Sequence, residues 1–219
     1  MSESNPTNRW TGSRRELKLR RESWGFAIGA ALFALGASPL YASAVGARLD
    51  NTTYFIGSLF FTTAGFIQLR LSGRPVPHAE SHRIEKYDWW SALIQFVGTL
   101  LFNVSTGAAL IIGLTVEESD QWIWRPDVLG SIGFLAASAL AVIATTETDK
   151  LWDPHARNWR STWWNMLGSV AFGVSAVAAF VVPSGKLEDA TVANMGTLIG
   201  AICFLVAALL MRAPRKKTA

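Results

Sequence analysis

The chain has 219 residues, half of them hydrophobic and only 16% charged, with a formal charge of +4. That is too apolar and too charge-poor for an ordinary soluble domain. The apolar runs are continuous, without period-two alternation, which excludes a transmembrane barrel. The composition predicts an all-α integral membrane protein of six transmembrane helices, each able to cover a hydrocarbon core of about 30 Å.

In chain order, residues 1–22 read as a basic segment carrying Arg9, Arg14, Arg15, Lys18, Arg20 and Arg21. Within it Ser13-Arg14-Arg15-Glu16-Leu17 resembles a twin-arginine export signal, and Ala42-Ser43-Ala44 resembles a signal-peptidase site. The intervening run is longer than a usual signal core, so an uncleaved first span over 23–47 is expected, interrupted only by Pro39. The second span covers 51–71, with Arg70 snorkelling to the surface.

The loop that follows holds Arg74, Arg83 and Lys86 together with His78, Glu80, His82 and Glu85. Two imidazoles four residues apart could share one helical face as metal ligands. Pro75 and Pro77 precede them, however, and a third ligand and supporting shell are missing, so a solvated charged loop is the expectation. The third span, 89–114, is the most polar. Gln95, Thr99, Asn103 and Thr106 form one stripe on it, suited either to interhelical hydrogen bonds with residues such as Gln68, Asn165 or Ser169 or to lining a permeation path.

The remaining spans are 127–146, 161–183 and 190–212. His155 sits in the loop between the fourth and fifth, beside Lys150, Arg157 and Arg160, and the segment 213–219 is a basic tail. The single cysteine, Cys203, lies in the last span, which rules out an intramolecular disulfide or a Cys-based zinc site. Tryptophans mark the boundaries. Trp24, Trp89, Trp90, Trp163 and Trp164 open the odd-numbered spans, and Trp122 and Trp124 open the fourth on the opposite side. A substrate-stacking role for the latter two is the alternative.

The basic residues alternate by side. The N-terminal segment, the loops after the second and fourth spans and the tail are rich in Lys and Arg, while the other side holds only Arg48, Arg125 and Lys186 beside Asp50, Glu117, Glu118, Asp120, Asp127, Glu188 and Asp189. The positive-inside rule then puts both termini on the cytoplasmic side of the cell membrane. The basic face should favour anionic lipid head groups. Nucleic acid is not an expected partner, because the basic residues are spread over several membrane-bordering loops. A homo-oligomer is compatible with so thin a bundle but not required by it.

Every span contains a Gly, then a small residue, then Phe four after the Gly. The pairs are Gly29 and Phe33, Gly57 and Phe61, Gly98 and Phe102, Gly130 and Phe134, Gly168 and Phe172, and Gly200 and Phe204. Positions i and i+4 share a face, so each helix offers a notch beside a ring. The recurrence suggests an internal repeat of three related hairpins. The last hairpin, from Trp164-Asn-Met-Leu-Gly-Ser-Val-Ala-Phe172 through Gly196-Thr-Leu-Ile-Gly200 to Leu210-Met-Arg-Ala-Pro214, resembles the YrhK-like family of small bacterial membrane proteins. The first hairpin shows the pattern more loosely through Gly29 to Phe33, Phe55-Ile-Gly57-Ser58 and Arg74-Pro75. The resemblance implies a two-helix unit and carries no assigned activity; Ala213 interrupts the basic-Pro exit.

Phosphate-loop, nucleophile-elbow and zincin motifs are absent from the sequence. No catalytic residue, metal or cofactor is expected. The leading expectation is a non-enzymatic multi-pass protein with a structural, sensory or assembly-related role. The alternatives are a small-solute or ion transporter or channel using the third-span stripe, and, least favoured, a lipid-acting enzyme at the cytoplasmic face built on His78, Glu80 and His82.

Overall fold

The computed structural model describes residues 6–71, 76–148 and 152–211. The chain is helical, with one isolated antiparallel bridge between Val181 and Leu187. Its helices are α1 (Pro6–Gly36), α2 (Pro39–Val45), α3 (Ala47–Leu71), α4 (Arg83–Ala108), α5 (Val116–Ser119), α6 (Arg125–Thr148), α7 (Arg157–Ala178) and α8 (Ala190–Leu210), and a single π-helical turn, Asp120–Trp124, joins α5 to α6.

Local chemistry sets the boundaries. Pro39 clashes with a helical conformation at the residue before it, and Ser38 is accordingly extended (φ −79°, ψ 118°). The chain restarts with Pro39 in the first turn of α2, where its missing N–H is no loss. α2 leaves α1 at 76°, so the span expected over 23–47 is two helices. It also has no break at residue 22, since α1 runs on from Pro6. Gly46 then takes a left-handed φ of 78° that lets α3 begin at once. Thr115 and Glu118 form a reciprocal capping box at α5, and the Asp189 side chain accepts from the N–H groups of Thr191 and Val192 at the start of α8.

Among the described residues, three helical segments are long and apolar enough to cross a membrane: α4, the continuous stretch Val116–Thr146, and α8. Counting the bent pair of Leu17–Gly36 and Pro39–Val45 as one span gives a fourth. α3 and α7 fall short of that measure because each carries charge and polar side chains along its length, among them Arg48, Asp50, Asn51 and Gln68 in α3 and Arg157, Arg160 and Asn165 in α7.

α1 packs on α3, α4 on α6 and α7 on α8; α3 also meets α4, α6 meets α7, and α8 returns to α1, which closes a ring of six long helices. Inside that ring, phenylalanine rings pack among small residues. Thr99, Ser23, Ser58, Ser131, Ser138 and Ser169 are the largest side chains buried to under 2% exposure. The outer surface is the reverse, with Leu167, Val170, Val174 and Val177 along α7, and Ile56, Leu59, Phe60 and Phe66 along α3, all exposed. Bulky aliphatic groups thus face outward, and the interior combines small residues with buried phenylalanine rings.

Candidate functional site

The centre of the ring is built from the Gly and Phe residues at the four-residue spacing. A Cβ placed on Gly29 would lie 2.9 Å from the Phe61 ring and 2.9 Å from the Gly57 carbonyl, and one on Gly57 would lie 2.9 Å from the Phe33 ring. The order is reversed on the partner helix, so α1 and α3 cross antiparallel with each ring seated in the other's notch. The same lock joins α4 to α6, where the Phe134 ring is 2.8 Å from a Cβ on Gly98 and the Phe102 ring 3.2 Å from one on Gly130. It joins α7 to α8 more tightly, through Gly168 with Phe204 and Gly200 with Phe172. Only a hydrogen fits at these positions, which is what allows the backbones to meet.

The six rings then meet one another. Phe33, Phe102 and Phe172 form one triangle, with centroids 6.0 to 6.3 Å apart. Phe61, Phe134 and Phe204 form a second, at 5.7 to 6.3 Å. The triangles are joined by the lock pairs Phe33–Phe61 (5.4 Å), Phe102–Phe134 (5.0 Å) and Phe172–Phe204 (5.2 Å). The result is a trigonal prism of aromatic rings, each 4% to 6% exposed, on the axis of the bundle.

The second triangle is the floor of a cavity of ≈ 150 Å³ between the first turns of α4 and α7 and the last turns of α3, α6 and α8. Its polar lining is Gln68, Ser91, Gln95, Ser161, Thr162 and Asn165; Phe26, Ala141, Ala207, Ala208 and Met211 complete the wall. Position within the lock explains which residues arrive here. Three before the first lock Gly of each pair stand Phe26, Gln95 and Asn165, and seven after the second lock Phe stand Gln68, Ala141 and Met211. Equivalent places in the three pairs thus hold different chemistry.

Glu22 does not line the cavity but shares this register. It lies seven residues before Gly29, as Ser91 lies before Gly98 and Ser161 before Gly168. Glu22 is 2% exposed, and its carboxylate accepts a hydrogen bond from the Gln68 side chain. Sequence reading passed over it because it stands one residue ahead of the apolar run; its register against Gly29 was the available signal.

Hydrogen bonding fixes what the cavity offers. Ser91 donates to the Ala137 carbonyl (2.8 Å), and Ser161 donates to that of Ala207 (3.0 Å). The Asn165 amide donates to Ser138 Oγ (2.9 Å). Gln68 Oε1 is buried and accepts nothing among the described residues. The donors of Ser91, Ser161 and Asn165 are thus directed at the walls, and the Gln68 oxygen remains open.

The third-span stripe divides. Gln95 lines the cavity. Higher up α4, Thr99 Oγ1 donates to the Phe96 carbonyl (2.6 Å), Asn103 Nδ2 donates to Thr62 Oγ1 (2.8 Å), and Thr106 donates to the Phe102 carbonyl (2.7 Å) and lies 3.0 Å from Ser58 Oγ. Those three form the α3–α4 seam. Of the partners expected from sequence, Gln68 and Asn165 join Gln95 in the cavity lining, while Ser169 sits 2.7 Å from Ser138 between α6 and α7.

The other sequence candidates lie apart. His78 Nδ1 is 2.9 Å from Ser81 Oγ in an exposed turn, and among the described residues no group of three or more His, Cys, Asp or Glu side chains is placed to hold a metal ion. Trp124 donates to the Ala176 carbonyl (2.9 Å) and packs edge-on to Phe180, whereas Trp122 is half exposed. Arg74, Lys150, Arg212, Arg215, Lys216 and Lys217, with Pro75 and the Ala213-Pro214 exit, lie outside the described residues. No family model, no curated protein and no solved structure matches the chain.

Proposed function

We propose that this chain is a six-span, non-enzymatic membrane protein of three related hairpins, both termini cytoplasmic, that acts as a sensory or assembly element and not as a conduit. The observation that carries the reading is the phenylalanine prism. Six rings in mutual contact fill the bundle axis, and they sit between the cavity and the opposite end of the bundle. A continuous polar path would have to displace a close-packed aromatic core.

Six spans, beyond the segments apolar enough to be counted by composition alone, are favoured by the outward faces of α3 and α7, which carry Ile56, Leu59, Phe66, Leu167, Val170 and Val174. Their polar residues are engaged within the bundle, as Thr62 with Asn103 and Asn165 with Ser138. The orientation rests on the basic residues, and kinship of the last hairpin with the YrhK-like family rests on its residues alone. The transporter alternative is weakened by the division of the stripe, since only Gln95 reaches the cavity.

A map of reporter fusions after Arg21, Arg48, Lys86, Glu118, Arg157, Lys186 and the C-terminus should alternate strictly, beginning inside. Two consecutive fusions reporting the same side would sink the six-span reading. Reconstituted vesicles should show no solute or ion flux above protein-free vesicles, and a flux that stops on replacing Gln95 with Leu would favour the transporter instead.

A further inference from the structure

The cavity beneath the prism is asymmetric in a way the prism is not, and the asymmetry has one chemical sense. We propose that it is a binding site for a small protonated primary amine, an alkylammonium of up to about six heavy atoms. The proposal deepens the sensory reading and rests on the cavity ending at the phenylalanine prism and not being part of a path.

Three observations point to that ligand. The first is charge: Glu22, 2% exposed, places a carboxyl group one hydrogen bond from the cavity wall through Gln68. A carboxyl group withdrawn from water is stabilised by a cation in a way that no neutral ligand matches. The second is donor–acceptor balance. The hydroxyls of Ser91 and Ser161 and an N–H of Asn165 donate to the walls, and among the described residues Gln68 Oε1 is left without a donor. A ligand bringing N–H groups supplies that oxygen; an anion does not. The third is the floor, formed by the aromatic rings of Phe61, Phe134 and Phe204, groups of the kind that attract cations. Volume sets the size limit, since a cavity of ≈ 150 Å³ is comparable to the engineered cavities that accept a six-carbon ring.

The arrangement also discriminates. A quaternary ammonium has no N–H to give Gln68, and an alkali cation finds aromatic carbon over one side of its coordination sphere. Glu22 and Gln68 come from α1 and α3 and the Gln95 and Asn165 amides from α4 and α7, so an occupant would tie all three hairpins together at one end.

The test is binding of n-butylammonium chloride to the purified full-length protein in detergent, by calorimetry and by ligand-induced shift of the unfolding midpoint. Potassium chloride and tetramethylammonium chloride at equal concentration are the controls. Saturable one-site binding of butylammonium is expected, with neither control saturating, and at least a tenfold loss of affinity in Glu22→Gln. Equal affinity in Glu22→Gln, or no saturable binding by the wild type, overturns the proposal. Should Glu22→Gln fail to fold, Ala141→Leu fills the cavity from the opposite wall and must abolish binding while leaving helicity and the monodisperse profile unchanged. These results are separable from the six-span reading: a failed fusion map with intact binding leaves the site standing, and absent binding with an alternating map removes only the site.

Discussion

The two ends of the same bundle axis follow different rules. In the prism every helix pair contributes the same residues at the same register, and the geometry repeats: lock pairs at 5.4, 5.0 and 5.2 Å. One layer towards the start of α1, equivalent positions hold Phe26, Gln95 and Asn165, or Glu22, Ser91 and Ser161. Where the residues recur, packing is the purpose, since a ring in a notch satisfies only shape. Where they diverge, hydrogen-bonding capacity is left over, as at Gln68 Oε1, and that remainder is the ground for the amine site proposed above.

The largest effect expected from breaking this contrast is in the prism. Phe172→Ala removes a ring that touches Phe33, Phe102 and Phe204. Buried Phe→Ala changes cost about 3–5 kcal/mol in water-soluble cores. In lipid the transfer part is weaker, because the acyl chains are as apolar as the core, and about 2–4 kcal/mol is expected from lost packing, read as a drop in unfolding free energy in detergent or bicelles. Gln95→Leu, in the cavity layer, should leave stability nearly unchanged because it fills space without removing a ring contact. Comparable losses in both variants would erase the distinction between the layers.

A second contrast lies within α7. A Cβ on Gly168 would sit 2.6 Å from the Phe204 ring and 3.0 Å from the Gly200 carbonyl, whereas one on Gly173 meets nothing within 4 Å. Gly168→Ala forces the α7 and α8 backbones apart and should cost about 1–3 kcal/mol. Gly173→Ala should be neutral or stabilise by up to about 1 kcal/mol through helix propensity. Combining Gly168→Ala with Phe204→Leu should cost less than the sum of the two, since the smaller side chain makes room for the methyl; strict additivity would show that notch and ring do not share one contact.

These contrasts show what could be read from residues alone. A spacing of four puts Gly and Phe on one face whatever the tertiary structure, so the residues that meet on the axis stood out as a set. Helix breaks were legible where the backbone enforces them, as at Pro39, although a 76° bend there is a property of the packed chain. The stripe on α4 was visible too, but its division was not. A straight row of polar residues along one helix passes first the cavity and then α3, and that change of neighbour is written in other segments. Glu22 escaped because hydropathy places the boundary of a span at its first charge, while burial depends on where the neighbouring helix ends.

The seam bonds give a smaller effect. Asn103→Leu removes the bond to Thr62 and relieves the unpartnered Asn103 Oδ1. The two act in opposite directions, so a net loss of no more than about 1 kcal/mol is expected, within the range of interhelical hydrogen bonds in lipid. Thermal midpoints of Asn103→Leu and Asn103→Ala, differing mainly in the space they fill, separate the bond from the packing.

The smallest effects should come from three serines at the cavity end, and their pattern tests how far the threefold plan extends. Ser23 donates to the Ala208 carbonyl at 2.6 Å, Ser91 to Ala137 at 2.8 Å and Ser161 to Ala207 at 3.0 Å. The Ala137 carbonyl lies inside α6 and that of Ala207 accepts from the Met211 N–H, so both keep a partner when the hydroxyl is removed, and Ser91→Ala and Ser161→Ala should each cost only about 0.6 kcal/mol. The connectivity differs, however. Ser91 and Ser161 tie α4 to α6 and α7 to α8, within their own locked pairs, while Ser23 bonds outside its pair, from α1 to the neighbouring α8, and closes the ring. Ser23 and Ser161 therefore hold adjacent carbonyls of α8 from two sides, and their double variant should depart from additivity by more than the roughly 0.3–0.5 kcal/mol seen for independent sites. Ser91→Ala paired with either should simply add. If all three pairs add, α8 is held no differently from α6, and the closure of the ring does not depend on this clamp.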